Sequence, residues 1–426
     1  MANFLTYAVI LLGLIVLIGF VNEKMTKLTY EISLMLFSVV AGAVLAIVFA
    51  LVKNQTVREL IDTIRVFNLE EFLMNGVLCF MLFAGSFRMR LSDFKRLARP
   101  IGVLAFLCTF LGAVFYGGLF YLASRIFNLP FSLPMCLMFG SIVAPTDPIA
   151  ATSILNKFGL PKDISFVLEG ESLLNDGVGV ALFVCFSNMV KAQKQAGEGF
   201  FVVLFREILG AVLIGVAVTA ICYLIFKFTK DCRRRIFISL FMVALAYGLC
   251  EFFDCSGCIA SVVCGALFAT FRGNEEVKHG KMELEDFDSF WETIDNLLNS
   301  ILYVILGLSF IRILQMPRVI LLSVVAILCN TLGRAGSVFS STFLMGKLPD
   351  NYNKPDFTLL FTWGGLKGGL CIALAMSTFS MLTNEEYHII LGCTYAIVFF
   401  TTIIQGLTVK KVYEGVTKRM NSKATG

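Results

Sequence analysis

The chain has 426 residues, of which 58% are hydrophobic and 15% are charged. Soluble globular proteins carry about 25% charged residues, so this composition excludes an ordinary soluble domain. The apolar residues come in runs of about 20, the length that a helix needs to cross a bilayer. The basic residues behind the net charge of +5 lie in short connections between those runs, which indicates membrane topology and not nucleic-acid binding.

Thirteen apolar runs follow one another along the chain without a long polar stretch between them. Because the first run lacks the basic start and the small-residue cleavage site of a signal peptide, we interpret it as a retained helix. We therefore predict an all-α membrane protein with 13 transmembrane helices, at residues of about 4–20, 31–52, 72–87, 101–124, 129–155, 164–190, 204–226, 236–253, 256–271, 289–311, 319–342, 358–382 and 387–409.

The distribution of Lys and Arg predicts the orientation of these spans. With the N-terminus placed outside, the inner connections carry more than twice as many Lys and Arg residues as the outer ones. The positive-inside rule then places the C-terminus, with its short basic tail at 411–426, in the cytoplasm. We predict a multi-pass protein of the inner (cytoplasmic) membrane.

Two of the predicted spans contain residues that interrupt a helix. Span 5 contains Ala144-Pro145-Thr146-Asp147-Pro148, and span 12 contains Trp363-Gly364-Gly365-Leu366-Lys367-Gly368-Gly369. Gly- or Pro-interrupted segments at matching places in two halves of a chain point to a transporter site near mid-membrane. Spans 1–6 and 8–13 are equal in number with one span between them, so we predict an inverted repeat in which the two broken helices cross.

Ionisable side chains inside the spans are the candidates for function. A charge at mid-bilayer costs roughly 2.5–3.5 kcal/mol on insertion scales, so one that is kept there faces a cavity, a partner or a substrate. The candidates are Asp147, Glu169, Glu171, Asp176, Arg334 and Lys367.

Asp147 lies at the interruption of span 5. Pro145 disfavours helix before it, so Asp147 suits the N-cap of a half-helix whose first helical residue is Pro148. Asp147 is then either only a cap or a cap that also contacts a cation, and the sequence leaves both open.

Span 6 presents two polar faces. Ser172 and Asp176 are four residues apart and share one stripe, with Glu169 about 20° away. A hydroxyl and a carboxylate are hard oxygen ligands that suit an alkali cation. Glu171 and Asn175 form a second stripe, and Glu171 needs a different partner.

Arg334 in span 11 is the natural partner of Glu171, since the two residues lie at similar predicted depth. Glu292 and Asp295 in span 10 are rival partners. Lys367 lies in the glycine-rich break of span 12, where it can offset the negative carbonyl ends of half-helices. A direct role of Lys367 in proton coupling is the alternative.

These motifs resemble, in order along the chain, the signatures of the NhaP/NHE-type Na⁺/H⁺ antiporters, a family of monovalent cation:proton antiporters. The matching segments are Thr146-Asp147-Pro148, Glu171-Ser172-Leu173-Leu174-Asn175-Asp176, Phe290-Trp291-Glu292 with Leu297-Leu298-Asn299-Ser300, Gly333-Arg334, and Gly364-Gly365-Leu366-Lys367-Gly368.

The resemblance implies an inverted-repeat antiporter fold over residues 1–410. Core helices at about 101–190 and 319–409 would move. Helices at about 4–87 and 236–311 would form a dimerisation domain, with 204–226 as the link. A homodimer in the lipid bilayer would be the assembly.

The resemblance also implies roles for the site residues. Asp176 would bind Na⁺ or H⁺ in turn, Ser172 and Thr146 would supply further Na⁺ ligands, Asp147 would act directly or through water, and Asn175 would stand beside them. Glu171 would pair with Arg334. No cofactor is implied beyond the transported Na⁺ and H⁺.

The chain departs from the family pattern at two places. Span 3 reads Ala84-Gly85 where many members have an acid nearby, and span 12 has Lys367 where Arg is frequent.

The motifs and the resemblance together predict a secondary active Na⁺/H⁺ antiporter, not an enzyme, with electroneutral one-for-one exchange by elevator-type alternating access. A K⁺/H⁺ exchanger is the alternative, since Na⁺, Li⁺ and K⁺ use the same ligand types. A passive cation channel would need a repeated selectivity filter, which the sequence lacks. An intramembrane enzyme would need a motif such as HExxH or a nucleophile elbow, and neither is present.

Overall fold

A computed structural model describes residues 4–26, 28–51, 77–87, 91–147, 149–192, 200–279, 285–309 and 317–424. Within these ranges all regular secondary structure is helical. The helices of the first part are α1 (Phe4–Val21), α2 (Tyr30–Leu51), α3 (Leu78–Phe87), α4 (Leu91–Gly102), α5 (Thr109–Ile126), α6 (Leu133–Val143), α7 (Ile149–Asn156), α8 (Lys162–Ala192) and α9 (Phe200–Phe205).

The remaining helices complete the chain to residue 424. They are α10 (Ala211–Phe228), α11 (Cys232–Phe252), α12 (Gly257–His279), α13 (Glu285–Ser309), α14 (Pro317–Met345), α15 (Lys354–Gly364), α16 (Gly369–Ser377), α17 (Asn384–Phe399) and α18 (Gly406–Ala424). Short π-helical turns join α4 to α5, α9 to α10 and α17 to α18.

Among the described residues, seven continuous helical stretches are long and apolar enough to cross a membrane. They are Val9–Thr26, Arg96–Ile126, Lys162–Lys191, Val202–Phe228, Cys232–Phe252, Val319–Met345 and Asn384–Met420. The pair α15 and α16, bent by 65° at a short break, would be an eighth. Four further apolar helices are shorter, at Tyr30–Val44, Leu78–Phe87, Leu133–Val143 and Gly257–Phe271.

The chain is thus an all-helical membrane protein over its described length. The count of thirteen spans and the inverted repeat stay predictions. The predicted first helical position of the half-helix, Pro148, lies outside the described residues.

Local sequence fixes where several of these helices begin. Ser132 caps α6, and the Asn353 side chain accepts a hydrogen bond from the backbone N–H of Asp356 at the start of α15. Thr383 and Glu386 form a reciprocal capping box at the start of α17. Such caps satisfy backbone N–H groups that have no partner within the helix, so local sequence sets where α6, α15 and α17 begin.

The helices pack in two groups. In the first group, α2 packs against α13, α12 packs against α3, and α10, α11 and α12 pack against one another. In the second group, α5 packs between α6 and α14, α8 packs against α6, and α14 also contacts α15 and α17. Fewer contacts join the groups, chiefly those of α8 with α12 and α3, of α2 with α7, and of α13 with α16.

An aromatic cluster stabilises the first group. Phe83 of α3 lies 4.6 Å from Trp291 of α13 between ring centroids, and both also approach neighbouring phenylalanines. The Trp291 indole N–H donates a 3.1 Å hydrogen bond to the Ser239 hydroxyl, which satisfies its polar edge. These contacts bind α3, α11 and α13 into one unit.

The last helix reaches beyond the final predicted span. Residues up to 424, predicted as a short tail, continue α18. The Tyr413 hydroxyl donates a 2.9 Å hydrogen bond to the Gly159 carbonyl, and Arg419 lies 3.4 Å from Asp356. The C-terminal helix is therefore attached to the second group.

Candidate functional site

Two interrupted segments cross each other in the second group. The chain leaves α6 at Ala144 and re-enters a helix at Ile149, and it leaves α15 at Gly364 and re-enters at Gly369. At the crossing, the Asp147 backbone N–H donates a 2.8 Å hydrogen bond to the Leu366 carbonyl. A Cβ added at Gly368 would lie 2.9 Å from Asp147, so only glycine permits this approach.

Lys367, which lies in the break between α15 and α16, stabilises the break between α6 and α7. Its ammonium donates to the carbonyls of Ala144 and Pro145, at 3.0 and 3.1 Å, and its side chain is 2% exposed. These carbonyls lie where α6 ends, so the positive charge offsets the negative end of that half-helix. The Lys367 backbone N–H in turn donates to the Thr401 hydroxyl.

A cavity of about 790 Å³ reaches the crossing, and one face of α8 forms part of its wall. Thr146, Asp147, Ser172 and Asp176 all line it. The Ser172 hydroxyl donates a hydrogen bond to the Thr146 carbonyl, so α8 is held directly against the break. The cavity wall therefore brings together residues that carry two carboxylates and two hydroxyls.

Most of the charged residues that line the cavity are acidic. Its mouth includes Arg96 and Lys162, and Arg96 lies 2.5 Å from Asp163. Lys162 and Asp176 are 14 residues apart on α8, which places Asp176 roughly 20 Å deeper. The six acids that line the cavity are Glu31, Asp147, Asp163, Glu169, Asp176 and Asp295. Two basic residues against six acids make a space that attracts cations.

Asn175 lies on a different face of α8, which contacts protein and not the cavity; we call it the hidden face. Its amide donates a 2.8 Å hydrogen bond to the Thr146 hydroxyl and accepts one of 3.3 Å from the Thr146 backbone N–H. Asn175 is fully buried and does not line the cavity. Asn175 therefore fixes the position of Thr146 without lining the cavity.

Glu171 lies on that same hidden face of α8, where Arg334 meets it. Arg334 Nη1 lies 2.6 Å from Glu171 Oε1, and the side chains are 6% and 1% exposed. Arg334 also donates to the Phe361 carbonyl at 3.4 Å near the end of α15. A Cβ at Gly365 would lie 2.8 Å from Arg334 Nε, so the glycine leaves room for the guanidinium.

The rival partners of Arg334 lie elsewhere. Glu292 is exposed, and Asp295 accepts a 2.9 Å hydrogen bond from Asn299 at the cavity wall. Glu169, near the Ser172 stripe, also lines the cavity and accepts a 3.1 Å hydrogen bond from Ser165.

Helix α3 contributes no acid to the cavity among its described residues. Leu78, Met81, Leu82 and Gly85 are its lining residues, while Ala84 is fully buried. A Cβ at Gly85 would lie 2.6 Å from Leu173, so α3 and α8 approach closely there. The described part of span 3, which lacks the acid expected from the family pattern, thus forms an apolar part of the cavity wall.

Sequence reasoning missed Tyr303 and Glu31, and it considered Asp295 only as a rival partner of Arg334. Tyr303 donates a 2.6 Å hydrogen bond to Asp147 Oδ2, and Glu31 and Asp295 line the cavity. A signal for two of them exists, since Asp295, Asn299 and Tyr303 are spaced by four and share one face of α13. Glu31 stands at the start of a span and has no such signal.

The chemistry of the site suits a monovalent cation as cargo. Across the described part of the chain, no group of three or more His, Cys, Asp or Glu side chains is placed to hold a metal ion. Carboxylate, hydroxyl and carbonyl oxygens are nevertheless the ligand types that hard cations prefer. Broken helices that cross beside half-buried carboxylates in an all-helical membrane protein are typical of secondary transporters.

Comparisons with known proteins narrow this class to one family. The family model described as "Sodium/hydrogen exchanger, transmembrane" matches residues 12–415. The chain therefore belongs to the sodium/hydrogen exchanger family.

Individual relatives agree with the family match. The chain is 28% identical to the Na⁺/H⁺ antiporter NhaP of Pseudomonas aeruginosa over 417 residues, which cover 95% of this chain and 96% of that protein. It is 30% identical to the Na⁺/H⁺ antiporter NhaH of Halobacillus dabanensis, over 72% of this chain and 73% of that one.

The fold also matches a solved structure. The sodium proton antiporter MjNhaP1 of Methanocaldococcus jannaschii, solved at pH 8, superimposes with a TM-score of 0.72 over 96% of this chain and 97% of that one. At 18% sequence identity this likeness establishes the NhaP-type fold alone.

Proposed function

We propose that this protein exchanges Na⁺ for H⁺ at a single carboxylate, Asp176. The observation that carries the proposal is the position of Asp176 at the deep part of an acidic cavity, beside the crossing of two broken helices. A carboxylate there binds either a proton or a cation, and neutralises its charge in both cases.

Three neighbours of Asp176 would complete the cation site. Ser172 and Thr146 line the same cavity and offer hydroxyl and carbonyl oxygens. Asp147 lines it as well and would bind the ion directly or through water. Asn175 acts in this proposal by fixing Thr146, since both its amide atoms are bonded to that residue.

The remaining charged residues would keep the framework intact. Glu171 and Arg334 pair away from the cavity, and Lys367 neutralises the end of α6. A charge that is neutralised inside the protein costs less free energy in the membrane than an unpaired one. The Lys367 ammonium would also satisfy backbone carbonyls at the break of α6, so these carbonyls need not face lipid.

The packing into two groups supports alternating access by an elevator movement. The second group contains both breaks and α8, and would move as the core. The first group would stay fixed and form the contact of a homodimer. We further propose that the cavity mouth with Arg96 and Lys162 faces the cytoplasm of a bacterial-type inner membrane, with the N-terminus outside.

The experiment that tests this function is fluorescence dequenching in inverted vesicles. Addition of Na⁺ should release protons in vesicles with the wild-type protein and not in vesicles with Asp176→Asn. Parallel additions of Li⁺ and K⁺ separate Na⁺/H⁺ exchange from K⁺/H⁺ exchange. Cation currents without proton movement would contradict the proposal and favour a channel.

A further inference from the structure

Tyr303 contacts the site from outside the core. It lies on α13, its side chain is 2% exposed, and its hydroxyl donates a 2.6 Å hydrogen bond to Asp147 Oδ2. A hydroxyl that donates to a carboxylate makes one of the stronger hydrogen bonds in proteins. The bond therefore fixes the Asp147 carboxylate at the cavity wall.

This bond connects the two helix groups. Helix α13 packs with α2 and α3 in the first group, whereas Asp147 lies in the break of the second. The preceding residue, Leu302, also reaches across, since a Cβ at Gly369 would lie 2.2 Å from its Cδ1. One short stretch of α13 thus contacts both interrupted segments, one by a hydrogen bond and one by apolar packing.

Burial alone does not require such a bond in this protein. Tyr116 on α5 is also 2% exposed, and its hydroxyl has no hydrogen-bond partner among the described residues. The Tyr116 ring is held by Phe120 and Phe139 at 5.8 and 5.0 Å between centroids. A buried tyrosine here can therefore be retained for its ring, and the bond of Tyr303 calls for a separate explanation.

We infer that Tyr303 is a positioning residue that holds Asp147 while the cavity is open and releases it when the core moves. The inference rests on the proposed exchange function. An elevator movement shifts Asp147 relative to α13, and a hydrogen bond at 2.6 Å does not survive a displacement of more than about 1 Å. Tyr303 then supports cation binding on the cavity-open side only.

This role predicts an asymmetric kinetic effect. Without the hydroxyl, Asp147 loses the donor that orients it, and the cation binds more weakly from the cavity-open side. A hydrogen bond to a charged group is worth about a tenfold change in affinity or more. The rate of movement does not fall, because one bond fewer has to break in each cycle.

The experiment compares Tyr303→Phe with Tyr116→Phe, a matched loss of a buried hydroxyl. Initial rates of Na⁺-driven proton movement are measured in inverted and in right-side-out vesicles over a range of Na⁺ concentrations. For Tyr303→Phe we expect the KM to rise about tenfold on the side of Arg96 and Lys162 and less than twofold on the other, with kcat equal or higher. For Tyr116→Phe we expect no change on either side.

Several outcomes would overturn this role. They are an unchanged KM on the cavity-open side, an equal rise on both sides, or a fall in kcat without a change in KM. Failure of Tyr303→Phe to fold while Tyr116→Phe folds would assign the bond to stability and count against the role as well. Lack of exchange by the wild-type protein would instead refute the proposed function, which keeps the two failures distinct.

Discussion

The two faces of α8 each carry one acid and one neutral polar residue, but their surroundings differ. Ser172 and Asp176 line the cavity, whereas Glu171 and Asn175 face protein. Each acid lies one residue away from a polar neighbour on the opposite face. The difference lies in the partner, because Glu171 has a fixed guanidinium and Asp176 faces open space. We therefore expect Glu171 to support the structure and Asp176 to be available to a cargo ion.

Replacement of Asp176 by Asn is the sharpest test of the comparison. Asn keeps the size of the side chain but neither ionises nor takes up a proton over the pH range of the assay. Exchange should therefore fall to the level of empty vesicles. The melting temperature should stay close to that of the wild type. Dequenching and thermal unfolding measured on the same preparation check both expectations. Exchange at a near wild-type rate would show that Asp176 is not the exchanging group.

The hidden face should respond in the opposite way. Removal of one partner of a buried ion pair costs about 3–5 kcal/mol, so Glu171→Ala and Arg334→Ala should both lower the free energy of unfolding by similar amounts. The double variant should lose less than the sum of the two, as thermal unfolding of all three variants would reveal. Glu292→Ala, at an exposed position of α13, serves as the control. Additive losses would mean that the pair does not act as a unit.

The cavity face should also show competition between cation and proton. If Na⁺ binds only to ionised Asp176, the apparent KM for Na⁺ should rise about tenfold for each pH unit of acidification while Asp176 is largely protonated, and level off at higher pH. Initial rates over a matrix of pH and Na⁺ concentration measure this slope. A KM that stays flat over the acidic range would place the proton at a separate group.

Asn175 allows a smaller test of the hidden face. Asn175→Ala removes two hydrogen bonds that hold Thr146, each worth about 1 kcal/mol. We expect a modest loss of thermal stability and a several-fold rise in KM for Na⁺, with exchange retained. An Asn175→Ala variant that transports nothing would move Asn175 into the cation site itself.

The smallest expected effect is that of the membrane potential. In the proposed cycle, Asp176 is neutralised by Na⁺ in one direction and by H⁺ in the other, so the core would carry the same charge both ways. An imposed K⁺-valinomycin potential should then change neither the rate nor the end point of exchange in proteoliposomes with fixed gradients. An electrogenic cycle would respond with about 2.3 kcal/mol per charge per 100 mV, and such a response would show that a second group titrates.

Some of this site follows from the sequence and some does not. The separation of Ser172 and Asp176 from Glu171 and Asn175 follows from helix geometry alone, because 3.6 residues per turn place them on different faces. Likewise, a Lys in a glycine-rich break predicts a partner among the exposed carbonyls of a broken helix. These inferences need only local rules.

Contacts between the helix groups lie beyond those rules. The bond from Tyr303 to Asp147 joins residues 156 positions apart, and its existence depends on how α13 approaches α6 and α7. Glu31 faces the cavity for the same reason, since α2 borders α7. The spacing of Asp295, Asn299 and Tyr303 indicates a polar face on α13 but not what that face meets. Tertiary packing decides this, and one sequence does not specify it.

The attachment of α18 gives the C-terminus a practical use. Tyr413 and Arg419 connect this helix to Gly159 and Asp356, which flank the two interrupted segments. In the proposed elevator movement, a fluorescent dye on the outer surface of α18 would therefore travel with the core. Paired with a second dye on α11, it would convert each transport cycle into a change in energy transfer, so that single molecules could be followed in a bilayer without labelling the site.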